Sequence, residues 1–363
     1  MRRILYVLAS LEYGGAARQA TLLARGLPRD QFRAEVCVLG KLGPWRDDLA
    51  QGGVVVTALG WKRWLDLRPF LRLRERIRVF QPDVIHAYTL PALRAVMAAS
   101  AGLKRRLVVS APWPRSKQSV MMTMLDRWIL HRANKVLAGG PYESRVCRAV
   151  GLSAEQIAEV APGVALDPSP APSPSLRETL GLSPRARLIA CVGPLDPDKG
   201  LKNAVWALDI LRYLFDDLHL AIIGVGGDQP RVHRFAQAAK LVGKVHFLGT
   251  RPDVPSLLTQ VDIVWVHSQG NTGINAALEG MAAGRPVVAS SRPVLADLIR
   301  NGETGILVPP KDQGALARQT RLLLEDSGRR RKLGEAAQKH VQDRHHAASL
   351  VKRCARLYED VAV

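Results

Sequence analysis

The stretch His267–Ser290, HSQGNTGINAALEGMAAGRPVVAS, decides how this chain is read. It follows Asp262–Val266, a short apolar run rich in β-branched residues that predicts a buried strand. Gln269–Gly273 is rich in turn formers, and Asn275–Ala283 is helix-compatible as far as Gly284. A strand, a turn and a helix N-terminus in succession make an anion site. The turn exposes backbone N–H groups and the helix dipole adds partial positive charge, so the end of this strand suits a phosphate. Glu279 lies about one turn into the helix.

Outward from this stretch the same alternation recurs. Leu188–Val192 predicts a strand running into Gly193-Pro194-Leu195-Asp196-Pro197-Asp198-Lys199-Gly200, followed by a helix, strand Leu220–Gly224, another helix and strand Val245–Gly249. Further back, Pro168-Ser169-Pro170-Ala171-Pro172-Ser173-Pro174-Ser175 interrupts all periodicity and predicts a linker over 166–182. In the first half, Ile4–Leu11, Gly14-Gly15 and the apolar positions Ala20, Leu22, Leu23 and Leu27 give strand, glycine loop and helix; a simple tight turn explains Gly14-Gly15 as well as a ligand loop does. Ala34–Leu39, Val54–Leu59, Leu107–Ser110, Val136–Ala138 and Ile157–Val160 predict further strands, and Pro82-Asp83-Val84-Ile85-His86 enters another. Strands alternating with helices predict an α/β fold, with parallel sheets covered on both faces and ligands outside the strands' carboxyl ends. The expected domains are 1–165 and 183–342, with 343–363 following.

A length of 363 residues accommodates two such domains, and 47% hydrophobic with 23% charged residues are globular proportions. Ile4–Leu11 is short for a signal peptide and passes directly into Glu12, so it reads as a buried strand. No apolar run approaches the length that spans a bilayer, and the chain is expected to be cytoplasmic, with any membrane contact peripheral. Cys37, Cys147, Cys191 and Cys354 lie far apart, without metal-ligand spacing.

The net charge of +20 sits mainly in the first half: residues 1–165 carry 26 Lys/Arg against 12 Asp/Glu, the remainder 26 against 20. That field favours anionic lipid, nucleic acid or phosphorylated substrates. No helix-turn-helix, zinc or stacking-aromatic pattern supports nucleic acid, which is not an expected partner. Leu67–Phe80 predicts an amphipathic helix with Phe70, Leu73, Ile77 and Phe80 on one face and Arg68, Arg72 and Arg76 opposite. Its basic face reads first as the solvated face of a packed helix; contact with a membrane or polyanion is the alternative, which the neighbouring Trp61, Lys62, Arg63 and Trp64 raise without establishing. Gln118–Arg132 predicts a second amphipathic helix with Met121, Met122, Met124 and Trp128.

Glu279 with Gly280-Met281-Ala282-Ala283-Gly284-Arg285-Pro286-Val287-Val288 resembles the group 1, family 4-like retaining glycosyltransferases, whose mark is two glutamates eight positions apart before a small-residue helix, Gly and Pro-Val-Val. The resemblance covers nearly the whole chain. It implies the GT-B fold: two Rossmann-like doubly wound parallel-sheet domains facing a central cleft, the first on the acceptor side, the second on the nucleotide-sugar side, with a last helix returning to the first. It implies transfer of a sugar, with retention, from a nucleotide-diphosphate sugar to a glycan or lipid-linked acceptor, as in polysaccharide biosynthesis, without metal or other cofactor. Such transfer passes through an oxocarbenium-like state while charge builds on the departing diphosphate.

Carried over residue by residue, Lys199 matches the family's diphosphate lysine, Glu279 the glutamate that holds the ribose, and Asn271 the one that touches the donor sugar. Donor contacts are expected from Gly14, Gly15, Gly193, Gly224, Gly249, Thr250, Arg251, Gly273, Ile274 and Asn275, and acceptor-side contacts from Arg18, His86 and Trp113. His86 reads equally well as a structural histidine. Three positions depart from the pattern. Pro194 replaces an arginine and removes a bidentate fork, Asn271 replaces a glutamate and brings no charge, and Pro112 replaces a histidine with a side chain unable to act. These departures keep open a catalytically impaired GT-B protein that binds a nucleotide or glycan, or partners an active transferase.

Overall fold

The computed structural model describes residues 1–61, 66–103, 105–110, 120–166 and 174–362, and of 120–123 the backbone alone. The chain forms two compact units, Met1–Gly163 with Ala347–Val363, and Val164–His346. Each is built on one parallel sheet. In the first unit the strands are β1 (Arg2–Leu8), β2 (Phe32–Val38), β3 (Val55–Ala58), β4 (Val84–Ala87), β5 (Leu107–Ser110), β6 (Lys135–Ala138) and β7 (Ile157–Glu159), in the order β3-β2-β1-β4-β5-β6-β7. In the second they are β8 (Arg187–Val192), β9 (Leu218–Ile223), β10 (Val245–Gly249), β11 (Ile263–Val266), β12 (Val287–Ser290) and β13 (Ile306–Val308), in the order β10-β9-β8-β11-β12-β13. Both sheets are doubly wound and Rossmann-like, with strand order reversing between β1 and β4 and between β8 and β11. Such reversals open crevices outside the carboxyl ends of the strands.

Burial on both faces explains why the central strands β1, β4, β8, β11 and β12 read as continuous apolar runs. All four residues of β11 are buried, Trp265 donating its indole N–H to Thr320 Oγ1 at 2.9 Å. The strand begins at Ile263, one residue later than its sequence predicts, and the Asp262 carboxylate bonds the neighbouring strand β8. It accepts from Leu188 N–H at 2.9 Å and pairs with Arg177 at 3.0 Å. At the other end of the chain segment, Gly280 packs its helix onto this strand, since a β-carbon there would lie 3.0 Å from Val264.

The helix Ala347–Ala362 belongs to the first unit. Leu350, Val351, Cys354, Leu357 and Tyr358 are buried in its core beside Ile4, Tyr6 and Leu23. Its nearest helical neighbour is Gly15–Gly26, where a β-carbon on Gly26 would stand 2.5 Å from Val351. Residues 167–173 of the expected linker lie outside the described residues, but the rest of it is built into the second unit. Ser175 and Glu178 form a reciprocal capping box, and Leu176 N–H bonds Gln260 Oε1 at 2.6 Å.

The amphipathic helix in the first half spans Arg68–Phe80 and buries Leu73, Ile77 and Phe80 as its pattern predicts. Its basic face is only partly free. Arg76 donates to Glu35, whose side chain is 2% exposed, and Arg72 donates to the Leu59 carbonyl at 3.0 Å. Lys62, Arg63 and Trp64 lie outside the described residues.

Truncating Tyr358 to Ala removes a fully buried aromatic ring, and the expected loss is about 3–5 kcal/mol of stability. Chemical denaturation with fluorescence detection should place that loss in the first unit, with the helices of the second retaining their hydrogen-exchange protection.

Candidate functional site

In the second unit the crevice between β8 and β11 is formed by two loops, Gly193–Gly200 after β8 and 267–273 after β11. They are tied together. Gln269 N–H donates to the Asp198 carbonyl at 2.7 Å, Ser268 Oγ donates to the same carbonyl at 3.0 Å, and Ser268 Oγ lies 2.6 Å from Thr272 Oγ1. Gly200 is required where the loops touch: its φ is +66°, and a β-carbon would fall 2.2 Å from the His267 carbonyl oxygen. Gly224, at the end of β9, is required for the same reason, since a β-carbon there would lie 2.0 Å from the Gly193 carbonyl oxygen. Its N–H donates to the Gly249 carbonyl at 2.7 Å, so the ends of β8, β9 and β10 meet at three expected donor-side glycines.

Above them stands Lys199. A β-carbon on Gly193 would be 3.8 Å from its Nζ. Burial pulls the ammonium below the ordinary lysine pKa, against the opposing charges of Asp196 and Asp198. Beside it begins the helix Ile274–Ala282, with Gly273 at its N-cap, no side-chain capping bond there and no acidic residue in its first turn. Cys191, Lys199, His267, Ser268 and Gly273 share one small cavity at this point. A half-buried ammonium and a helix N-terminus attract an anion to the same place.

The remaining expected residues of the second unit lie on this helix, on the loop before it and just beyond β10. Glu279 sits in the same helix and is 7% exposed, while Asn275 is half-buried in its first turn and Asn271 is exposed on the loop. Thr250 is exposed just beyond β10. Arg251 is held by Asp253 through two hydrogen bonds of 2.8 and 2.6 Å, which raise its pKa; its guanidinium is engaged in a local ion pair. The sequence reading missed His267 and Ser268 as lining residues. Their position immediately after a predicted central strand was the available signal.

In the first unit Gly14 and Gly15 open the helix Gly15–Gly26 at the β1 end of the β1/β4 reversal. Gly14 is extended, with φ −168°, and a β-carbon there would come no nearer than 3.8 Å to its surroundings, so its own backbone does not demand glycine. Arg18 lies one turn in, its guanidinium carbon 5.9 Å from the Trp45 ring centre. Pro112 and Trp113 lie outside the described residues.

His86 is enclosed within the first unit, as its structural reading expects. It is 0% exposed, with Nδ1 2.7 Å from Tyr358 Oη and Nε2 2.9 Å from Ser110 Oγ. Both ring nitrogens are occupied by the protein, and burial pushes the pKa down to about 3.

Residues 173–340 match the family described as glycosyl transferases group 1, and residues 13–168 match glycosyltransferase family 4. With two such halves on two Rossmann-like sheets, the chain belongs to the group 1 glycosyltransferases of the GT-B fold. Glycogen synthase of Mycobacterium tuberculosis is 25% identical over 316 residues, covering 80% of this chain and 72% of that protein. D-inositol 3-phosphate glycosyltransferase of Salinispora tropica is 33% identical over 178 residues, covering 46% of this chain and 37% of that one. Among solved structures, Anabaena Alr3699/HepE in complex with UDP-glucose superposes with a TM-score of 0.89 over 99% of this chain and 100% of that chain, at 23% identity. At that identity the likeness is one of fold.

The burial of His86 has a pH signature. Between about 3, its folded value, and the ordinary 6.5, the unfolded chain binds a proton that the folded chain does not. Stability contributed here is therefore present above about pH 6.5 and is lost as the pH falls toward 3. Unfolding free energies measured across that window should fall less steeply for His86→Gln than for the unaltered chain.

Proposed function

We propose that this glycosyltransferase moves a sugar, with retention at its anomeric carbon, from a nucleotide-diphosphate sugar to a glycan or lipid-linked acceptor. The observation that carries this reading is the convergence of Lys199 and the helix N-terminus at Gly273 on the β8/β11 crevice. A departing nucleoside diphosphate needs its growing charge met by groups already in place, and a lysine with backbone N–H groups meets it. No metal is required in this scheme. Glu279 takes the ribose hydroxyls, and Asn271 a hydroxyl of the donor sugar as a neutral partner. The UDP-glucose held by the Anabaena protein, and the sugar-transferring relatives, support a nucleotide-sugar donor here.

A second reading keeps the binding and drops the transfer. Pro194 favours it, because the diphosphate loses a bidentate guanidinium, and Asn271 favours it, because the donor sugar loses a carboxylate. Titration calorimetry with uridine, guanosine and adenosine diphosphate sugars, paired with assays of nucleoside diphosphate release, separates the two. Turnover of one donor supports the transferase, whereas tight binding without release in the presence of mixed glycan and lipid-linked acceptors supports the second reading. Lys199→Ala and Glu279→Ala are each expected to weaken that donor about tenfold or more, roughly 1.4 kcal/mol. Unchanged affinity in both folded variants would remove the site assignment.

A lipid-linked acceptor would place the enzyme peripherally at the cytoplasmic face of an anionic membrane. Exposed Leu67, Leu71 and Val79 accompany the arginines of helix Arg68–Phe80, and Met124 and Trp128 are exposed on helix Val120–Leu130. Among the described residues no helix is long and apolar enough to cross a membrane. Replacing Leu71 and Trp128 by Ser should reduce sedimentation with phosphatidylglycerol vesicles while leaving solution donor binding intact; equal sedimentation of both forms would count against this contact.

A further inference from the structure

His267 follows β11 directly and shares the cavity of Lys199 and Gly273, yet no part of the transfer described above uses it. Its side chain is 3% exposed. Nδ1 lies 3.2 Å from Ser290 Oγ on neighbouring β12, and Ser290 is itself 0% exposed. Nε2 is buried and has no hydrogen-bond partner among the described residues. A buried ring nitrogen without a partner carries its full desolvation cost, and native chains satisfy nearly all such atoms. His267 lines a cavity beside an ammonium and a helix N-terminus, and an unpartnered nitrogen in such a residue points to a bound group that completes it. When Ser290 Oγ–H donates into Nδ1, the ring proton resides on Nε2 and the imidazole becomes a neutral donor.

We propose that His267 donates its Nε2–H to a diphosphate oxygen of the bound nucleotide, beside Lys199 and in partial replacement of the donor fork that Pro194 removes. This inference rests on the nucleotide-sugar reading of the site. A neutral imidazole fits the position: burial holds the ring near a pKa of about 4, with Asp312 raising and Arg292 lowering it, so the ring adds a directed N–H without a second buried charge next to Lys199. Three kinds of donor, an ammonium, an imidazole N–H and backbone amides, then face one anion.

The test uses the whole chain and three probes, uridine, guanosine and adenosine diphosphates, with the matching nucleosides measured by competition. The unaltered protein is expected to bind one diphosphate. His267→Phe, which keeps a ring without a donor, should weaken it about tenfold and leave the nucleoside unchanged, while His267→Gln, which restores an N–H, should stay within about threefold of the unaltered chain. In the unaltered protein labelled with ¹⁵N-histidine, the Nε2 resonance of His267 should move on saturation with that diphosphate. Equal losses for nucleoside and diphosphate in His267→Phe, or a resonance that does not move, would overturn the assignment. So would a loss seen only with the sugar nucleotide, which would transfer His267 to the sugar. Lys199→Ala separates the two levels of inference. If Lys199→Ala abolishes diphosphate binding and His267→Phe does not weaken it, only the His267 assignment fails; if the unaltered chain binds none of the three diphosphates, the nucleotide-sugar reading fails with it.

Discussion

The carbonyl of His267 and the bare α-carbon of Gly200 set the spacing of the crevice in the second unit. Two loops from strands that are distant in sequence meet at a distance no side chain would permit, and a left-handed φ of +66° turns one of them back into its helix. Any other residue would add about 1–2 kcal/mol of backbone strain as well as the collision. The hydrogen bonds from Gln269 and Ser268 to the Asp198 carbonyl hold the same seam from the other side. Lys199, the residue immediately before this contact, is fixed over Gly193 as a result. The Lys199 ammonium is therefore positioned by backbone packing beside the helix N-terminus at Gly273.

The first unit solves a different problem in its core. Tyr6, His86, Tyr88 and Tyr358 form a buried aromatic cluster in which the His86 and Tyr88 rings stack with centres 4.3 Å apart. Polar atoms placed so deeply need partners of fixed geometry, and His86 receives one from the helix Ala347–Ala362 and another from β5. The polar cluster thus specifies how that helix docks, alongside the apolar contacts of Leu350, Val351 and Leu357.

Much of this was legible in the sequence because the signals were local. Apolar runs marked the parallel strands, glycines marked their crevice ends, and the 3.6-residue period placed Leu73, Ile77 and Phe80 on the buried face of their helix. Ser175-Leu176-Arg177-Glu178 carried a capping-box signal as well, which the surrounding prolines obscured. What stayed hidden depended on contacts between distant residues. Arg76 reads as part of a solvated face until Glu35, 41 positions away, is seen beneath it. The role of His86 is decided by Tyr358, 272 positions away, and the unsatisfied nitrogen of His267 by the absence of any neighbour within reach among the described residues. Periodicity reports which way a side chain faces, but not which polar atom waits there.

Because the helix Ala347–Ala362 completes the core of the first unit, that unit is discontinuous in the chain. During synthesis its seven strands emerge well before the helix that covers Leu23, Tyr6 and Val36, and the whole of the second unit is made in between. The second unit has all its segments once His346 is out, so it is able to fold first. Until then the earlier sheet carries an uncovered apolar flank, the kind of surface that chaperones bind and that associates between chains at high concentration. The first unit therefore cannot complete its core until a segment made after the whole second unit has emerged.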